Sequence, residues 1–262
     1  MPYETRPGDP VWTDIYTTDP EAAIAFYGEL LGWTAEIAPE HGNYITFRKD
    51  GKAVAGGVAS DGSGPSQWTV YLASPDAEAT ARAVTAAGGM TAVPVTEVGD
   101  LGKFGVFGDN GGVGIGVWES GTMTGFEKRG IAGGGNWEDH VGAPSWFELH
   151  TRSYDDALKF YPEVFGWQDP FTISDVPEFR YTTIHSTTPM LGGVMDSTNF
   201  LPPGVPGYWR VYFGAEDVDA SVRRVVELGG RVISPPEDTP YGRLAAVADP
   251  TGVPFSLGGN KS

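Results

Sequence analysis

VWTDIYTTDPEAAIAFYGELLGW (Val11–Trp33) and SWFELHTRSYDDALKFYPEVFGW (Ser145–Trp167) are the two stretches that decide the fold. Each has Trp in second place, Phe-Tyr fourteen residues after that Trp, and a closing Gly-Trp; Trp12 and Trp146 stand 134 residues apart. Two more pairs follow in the same order. WTVYLASPDAEATARAVTAAGG from Trp68 answers WRVYFGAEDVDASVRRVVELGG from Trp209, and GKFGVFGDNGG from Gly102 answers GRLAAVADPTG from Gly242. Three ordered matches make the chain an internal duplication. The expected layout is one domain over 1–119, a linker over 120–142 containing Gly133-Gly134-Gly135, and a second domain over 143–262.

Each copy divides again into two halves, in which a short alternating strand feeds a helix and further short strands follow. Asp19-Pro20 supplies an N-cap and a first-turn proline, and the helix it opens stops at Gly32. Ile24, Tyr27 and Leu31 share one face of that helix, as Val218, Val222, Val225 and Val226 do in the last helix, which ends at Gly229. Ser74-Pro75 is expected to start the second helix by the same chemistry. Gly28 and Pro162 occupy equivalent helix positions and both weaken a helix, so an early end or kink is expected there. The fold class that results is α+β: four βαβββ modules with strongly curved mixed sheets.

Composition removes several functions. The formal net charge is −17, with 17 Lys and Arg against 34 Asp and Glu. Nucleic-acid binding needs basic side chains on phosphates, so no nucleic-acid partner is expected. The charge favours solubility and, weakly, a neutral or cationic ligand. The absence of cysteine excludes disulfides, thiolate ligands and a cysteine nucleophile. MPYETRPGDP, the first ten residues, has no apolar run, and no stretch approaches a membrane span. A cytoplasmic protein with no membrane partner is expected.

The strand–Asp–helix–FY–LGW pattern at Trp12–Trp33 and the Asp-Pro-x-Gly turn at Asp249–Gly252 resemble the vicinal-oxygen-chelate superfamily. This is the group of glyoxalase I, bleomycin-resistance proteins, fosfomycin-modifying enzymes and extradiol dioxygenases. The resemblance covers nearly the whole chain apart from the linker. The double-domain layout with W-x-V-Y strands looks like actinobacterial proteins labelled glyoxalase-like or hydroxylase. The resemblance implies tandem glyoxalase-like domains, and in metal-using members His or Glu stands on four strands. Carried over by the motifs, the first position is Trp12 and Trp146. The second lies on AVAGGVA from Ala53 and MLGGVM from Met190, which hold no ligating side chain. The third is Thr69 and Arg210, and the fourth Gly116 and Ser256. A divalent ion needs several converging Asp, Glu or His donors, and Trp and Arg offer none. No metal and no cofactor is therefore expected.

Alternation along strands then fills the cavities. Trp12 brings Asp14 and Tyr16 to its face; Trp146 brings Glu148 and His150; Thr69 brings Tyr71, Arg210 brings Tyr212, and Gly116 brings Trp118, with Ser256 closing the second set. Such linings suit a small aromatic or apolar molecule. Glu148 and His150 form the one credible acid/base pair, with Cα atoms roughly 6.5–7 Å apart, a gap that a ligand, a water or Arg210 would fill. The alternative is a structural pairing of Glu148 with Arg210. His41, His140 and His185 read as incidental, and Gly56-Gly57 and Gly192-Gly193 as bulges or close backbone approaches. No Ser-His-Asp order stands out.

Two arrangements stay open. Within one domain, Glu148, His150 and Arg210 share a pocket; with exchanged halves, Asp14 faces Arg210 while Glu148 and His150 face Tyr71 and Trp118. The function expected first is a binding or sequestering protein, of bleomycin-resistance type, without the usual metal. The alternative is a glyoxalase-like or hydroxylase-like enzyme, a lyase or oxidoreductase, using Glu148 and His150 or a relocated metal. A third is a protein-interaction scaffold. The partners expected are the small molecule and, as a candidate, a second copy of the chain in a homodimer.

Overall fold

The computed structural model describes residues 4–62, 64, 66–130, 132, 137, 140–187 and 189–261. The expected βαβββ unit occurs four times. The first module is β1 (Pro10–Thr17), α1 (Pro20–Leu31), β2 (Thr34–Ala38), β3 (Tyr44–Lys49) and β4 (Lys52–Ala59), with a 3-10 turn at Pro39–His41. The second is β5 (Gln67–Ala73), α2 (Ala77–Ala86), β6 (Met90–Val98), β7 (Gly102–Gly108) and β8 (Gly114–Ser120). The third is β9 (Pro144–Thr151), α3 (Tyr154–Phe165), β10 (Phe171–Val176), β11 (Phe179–Thr183) and β12 (Gly192–Asp196). The fourth is β13 (Tyr208–Gly214), α4 (Val218–Glu227), β14 (Arg231–Thr239), β15 (Gly242–Ala248) and β16 (Pro254–Gly259). Two mixed eight-stranded sheets result, ordered β2-β3-β4-β1-β5-β8-β7-β6 and β10-β11-β12-β9-β13-β16-β15-β14. First and last strands of a module pair in parallel, as in β9 with β12, and the rest are antiparallel. Among the described residues no helix is long and apolar enough to cross a membrane.

Local chemistry sets the helix ends, with three departures from expectation. Asp19 caps α1 by accepting from Ala22 N at 3.0 Å, and Gly32 ends it in the left-handed region at φ 70°. The cap of α2, however, is Asp76, which accepts from Ala79 N at 2.8 Å; Ser74 instead accepts from Asp76 N and holds the approach. Helix α1 continues through Gly28, and α3 continues through Pro162 to a left-handed Gly166, so neither ends early. Pro162 lies in the last turn of α3, where its missing N–H removes one bond from a helix already packed on its apolar face. On α4, Val218, Val222 and Val225 are buried, but Val226 is exposed.

The chain forms two compact units, each drawing on both copies. Unit 1 is Met1–Trp12, Thr69–Gly125 and Phe147–Trp209; unit 2 is Thr13–Trp68, Phe126–Trp146 and Arg210–Ser262. The repeated motifs build their cores. In unit 2 the Tyr27 ring stacks on Trp33 at 5.5 Å and meets Trp68 and Phe255, while its hydroxyl donates to Asp249 Oδ2 at 3.2 Å. In unit 1 Tyr161 stacks on Trp167 at 4.9 Å, meets Trp209 edge-on, and donates to Asp109 Oδ2 at 3.0 Å. Burial, with the adjacent carboxylate, pushes both phenols well above their ordinary range. Asp109 Oδ1 also accepts from Gly111 N and Val113 N, and Asp249 Oδ1 from Thr251 N and Val253 N. The Phe-Tyr and Asp-turn motifs are thus two ends of one buried hydrogen bond.

The stretch read as a linker contributes to unit 2. Trp137 is buried, donates to Tyr241 O at 2.8 Å, and packs with Ala132, Tyr212, Trp146 and Leu244. Its ring covers Gly258, where an added Cβ would come within 2.3 Å. Gly133-Gly134-Gly135 lies outside the described residues.

Candidate functional site

A buried polar cluster in unit 1 is built on β9. Glu148 and His150 leave the strand on one face, two residues apart, and both are buried. The expected gap between them is closed, because Glu148 Oε1 lies 2.8 Å from His150 Nε2. Long side chains leaning along a strand span its two-residue repeat directly.

Neighbouring strands complete the cluster. The Tyr181 hydroxyl on β11 donates to Glu148 Oε2 at 2.8 Å. It reaches across β12 at Gly193, which is in register with Glu148; a Cβ there would lie 2.5 Å from the phenol oxygen. Of this glycine pair, Gly192 makes the expected close backbone approach, a Cβ there lying 2.1 Å from Phe147 O, whereas Gly193 instead lets a side chain cross a bare strand. Ser197 Oγ lies 2.9 Å from His150 Nδ1, and the Tyr208 ring of β13 stacks on the imidazole at 5.2 Å with 9° between planes. Phe179 stacks on Tyr181 at 5.6 Å. Tyr181 thus holds Glu148 Oε2 and Ser197 meets His150 Nδ1, while His150 Nε2 stands at ion-pair distance from Glu148 Oε1 without hydrogen-bond geometry.

Ser197, His150 and Glu148 form a hydroxyl–imidazole–carboxylate chain that sequence order alone does not reveal. Ser197 is fully buried, so its hydroxyl orients the ring and is not placed to attack a substrate. Tyr181 and Ser197 carry no local sequence signal, because the register of β11, β12 and β9 brings them to the pair.

The remaining candidates are placed as follows. Trp12 and Asp14 are buried on β1, and the Tyr16 hydroxyl bonds to the Asp61 carboxylate. Thr69 and Tyr71 are buried on β5. Tyr71 is in register with Gly116 on β8, and its ring fills the space where a side chain would stand, 2.3 Å from an added Cβ. Trp118 is buried and donates its indole N–H to Met123 O at 2.9 Å. Arg210 is half-buried on β13, and Tyr212 is in register with buried Ser256. Trp146 packs with Tyr212 and Trp137.

Of the three histidines read as incidental, His41 is exposed in its turn. His140 is buried and edge-on to Trp137. His185 departs from expectation: it is buried, with Nε2 2.8 Å from Asp9 Oδ1 and Nδ1 3.2 Å from Asp169 Oδ1. Hydrogen bonds from Ser186, and then His185, hold Asp169 below the usual carboxylate range. Among the described residues no three His, Asp or Glu side chains are grouped to hold one metal ion.

With this geometry in place, the chain can be set beside known proteins. The profile of the Glyoxalase/Bleomycin resistance protein/Dioxygenase superfamily matches residues 10–117 and 139–257. The anthracycline biosynthesis protein DnrV of Streptomyces peucetius is 37% identical, over 96% of this chain and 93% of its own length. The glyoxylase-named protein CFP32 of Mycobacterium tuberculosis is 33% identical, over 97% and 95%. Among solved structures, the Mn(II)-bound glyoxalase of Novosphingobium aromaticivorans aligns with a TM-score of 0.66 at 19% identity, over 99% of this chain and 84% of that one. The 2,3-dioxygenase LapB of Pseudomonas sp. KL28 aligns with a TM-score of 0.66 at 15% identity, over 99% and 94%. At these identities the structures speak for the fold alone. The chain belongs to the glyoxalase/bleomycin resistance protein/dioxygenase superfamily.

Proposed function

We propose that this protein binds a small planar molecule without a metal ion, and that Glu148 and His150 orient its polar end. The observation that carries this reading is the identity of the six side chains at the family's ligand positions. Trp12, Thr69, Gly116, Trp146, Arg210 and Ser256 do not make a donor set for a divalent ion. The Glu148–His150 pair with its stacked rings, Tyr208 on His150 and Phe179 on Tyr181, has the composition of a small-molecule site: aromatic faces with a few fixed polar groups. Two relatives are anthracycline biosynthesis proteins, which makes a flat polycyclic compound the ligand class to test first. Sequestration, of the bleomycin-resistance kind, is the role proposed.

Titration with an anthracycline, followed by tryptophan quenching, tests this. Micromolar or tighter binding without product is expected, with Glu148→Gln and His150→Ala each weakening it about tenfold, as for a lost charge-assisted contact. Equal affinity in both variants would overturn the assignment of these residues.

A second reading, a lyase or oxidoreductase, is favoured by one observation: a carboxylate 2.8 Å from an imidazole is an arrangement that general acid/base chemistry uses. Turnover of the bound compound, lost in both variants, would establish it over sequestration.

A further inference from the structure

Both ends of the loop over residues 198–206 are fastened to the strand that carries Glu148 and His150. At the first end, Ser197 donates its N–H to Thr151 O at 2.8 Å, and its hydroxyl meets His150 Nδ1 at 2.9 Å. At the other, a Cβ on Gly207 would come within 2.6 Å of His150 O, and the next residue, Tyr208, stacks on the imidazole. Arg152, just past the end of β9, reaches into the loop between these anchors. Its guanidinium donates to Leu201 O at 2.9 Å and Pro202 O at 2.7 Å, with longer contacts to Thr198 O and Val205 O.

A guanidinium bound to main-chain carbonyls fixes the course of a loop whatever its side chains are. Pro202, Pro203 and Pro206 stiffen it further. The loop nevertheless leaves Phe200 54% exposed and Val205 39% exposed. Holding apolar side chains out on a fixed loop contributes nothing to the core. Exposed apolar side chains on a fixed loop are the kind of group from which an apolar wall beside polar contacts is built.

We propose that loop 198–206 is the specificity-determining wall of the Glu148–His150 site, receiving the apolar end of a planar ligand through Phe200 and Val205. This rests on the binding reading above, and the test separates the two.

The probes are 5,8-dihydroxy-1,4-naphthoquinone and 1,4-dihydroxy-9,10-anthraquinone, which share a polar end and differ by one ring. An extra ring burying about 60 Å² of apolar surface corresponds to roughly tenfold in Kd. Wild type is expected to prefer the three-ring probe by about that factor. Phe200→Ala with Val205→Ala, and separately Arg152→Gln, should bring the preference to about threefold or less. Glu148→Gln should weaken both probes alike and keep the preference. An unchanged preference in the loop variants, or none in wild type, overturns the wall while the site stands. Failure of wild type to bind either probe overturns the site, and the wall with it.

Discussion

At the scale of single residues, the least exposed charges show what the fold demands. Asp9 has no exposed surface and meets His185 at 2.8 Å. His185→Ala removes one hydrogen-bond partner of buried Asp9, which keeps the Arg6 N–H at 2.6 Å, so it should cost about 1–3 kcal/mol in urea unfolding. A loss under about 1 kcal/mol would show Asp9 to be satisfied elsewhere. Asp109 gives a pH signature. Burial pushes its carboxyl above the ordinary range, against the bonds from Val113, Tyr161 and Gly111. The folded chain therefore holds this proton more readily than the unfolded chain. The contribution of Asp109 is most favourable in acid and declines as pH rises through its raised pKa. Asp109→Asn should flatten the part of the stability profile that falls as pH rises above the ordinary carboxylate range; an unchanged slope would contradict it. Residues of this kind were only half legible in the sequence. Glu148 and His150 stood out because strand alternation puts them on one face. Asp9 and His185, 176 positions apart, carry no local pattern that announces their meeting.

At the scale of elements, helix boundaries were readable where a side chain caps its own turn, as Asp19 does. They were not where a stronger cap lay two residues on, as Asp76 does after Ser74. Packing overrode propensity in α3, which keeps its last turn despite Pro162 because Tyr161 and Phe165 are buried on the same helix. Strand β12 was readable as a glycine pair needing a close approach, but which group approaches depended on register. That dependence can be tested. Gly193→Ala places a methyl where the Tyr181 hydroxyl crosses, and should lose the same hydrogen bond that Tyr181→Phe removes, about 1–3 kcal/mol. In a double-mutant cycle on unfolding free energy, the two changes should cost together much less than their separate costs added. Full additivity would mean that Gly193 does not serve the Tyr181–Glu148 contact.

At the scale of the whole molecule, the duplication and the compact units do not coincide. The Tyr27 core requires Phe213, Phe255 and Asp249 from the second copy, and Asp109 requires Tyr161. A fragment of residues 1–119 should accordingly lack cooperative unfolding, and co-expression with residues 120–262 should restore it; near-ultraviolet circular dichroism reads both. A cooperatively folded fragment would contradict this construction. The repeat was legible because its motifs are core residues under tight packing, whereas the exchange of partners between copies leaves no mark on motif order. The ligand reading is most directly tested by calorimetric titration of chelator-treated protein with a planar ligand, with and without added Mn(II), Fe(II), Ni(II) or Zn(II), alongside elemental analysis of untreated protein. A metal-free site predicts one affinity throughout and less than about a tenth of an equivalent of metal. A full equivalent of bound ion, or binding that appears only once an ion is supplied, would contradict it.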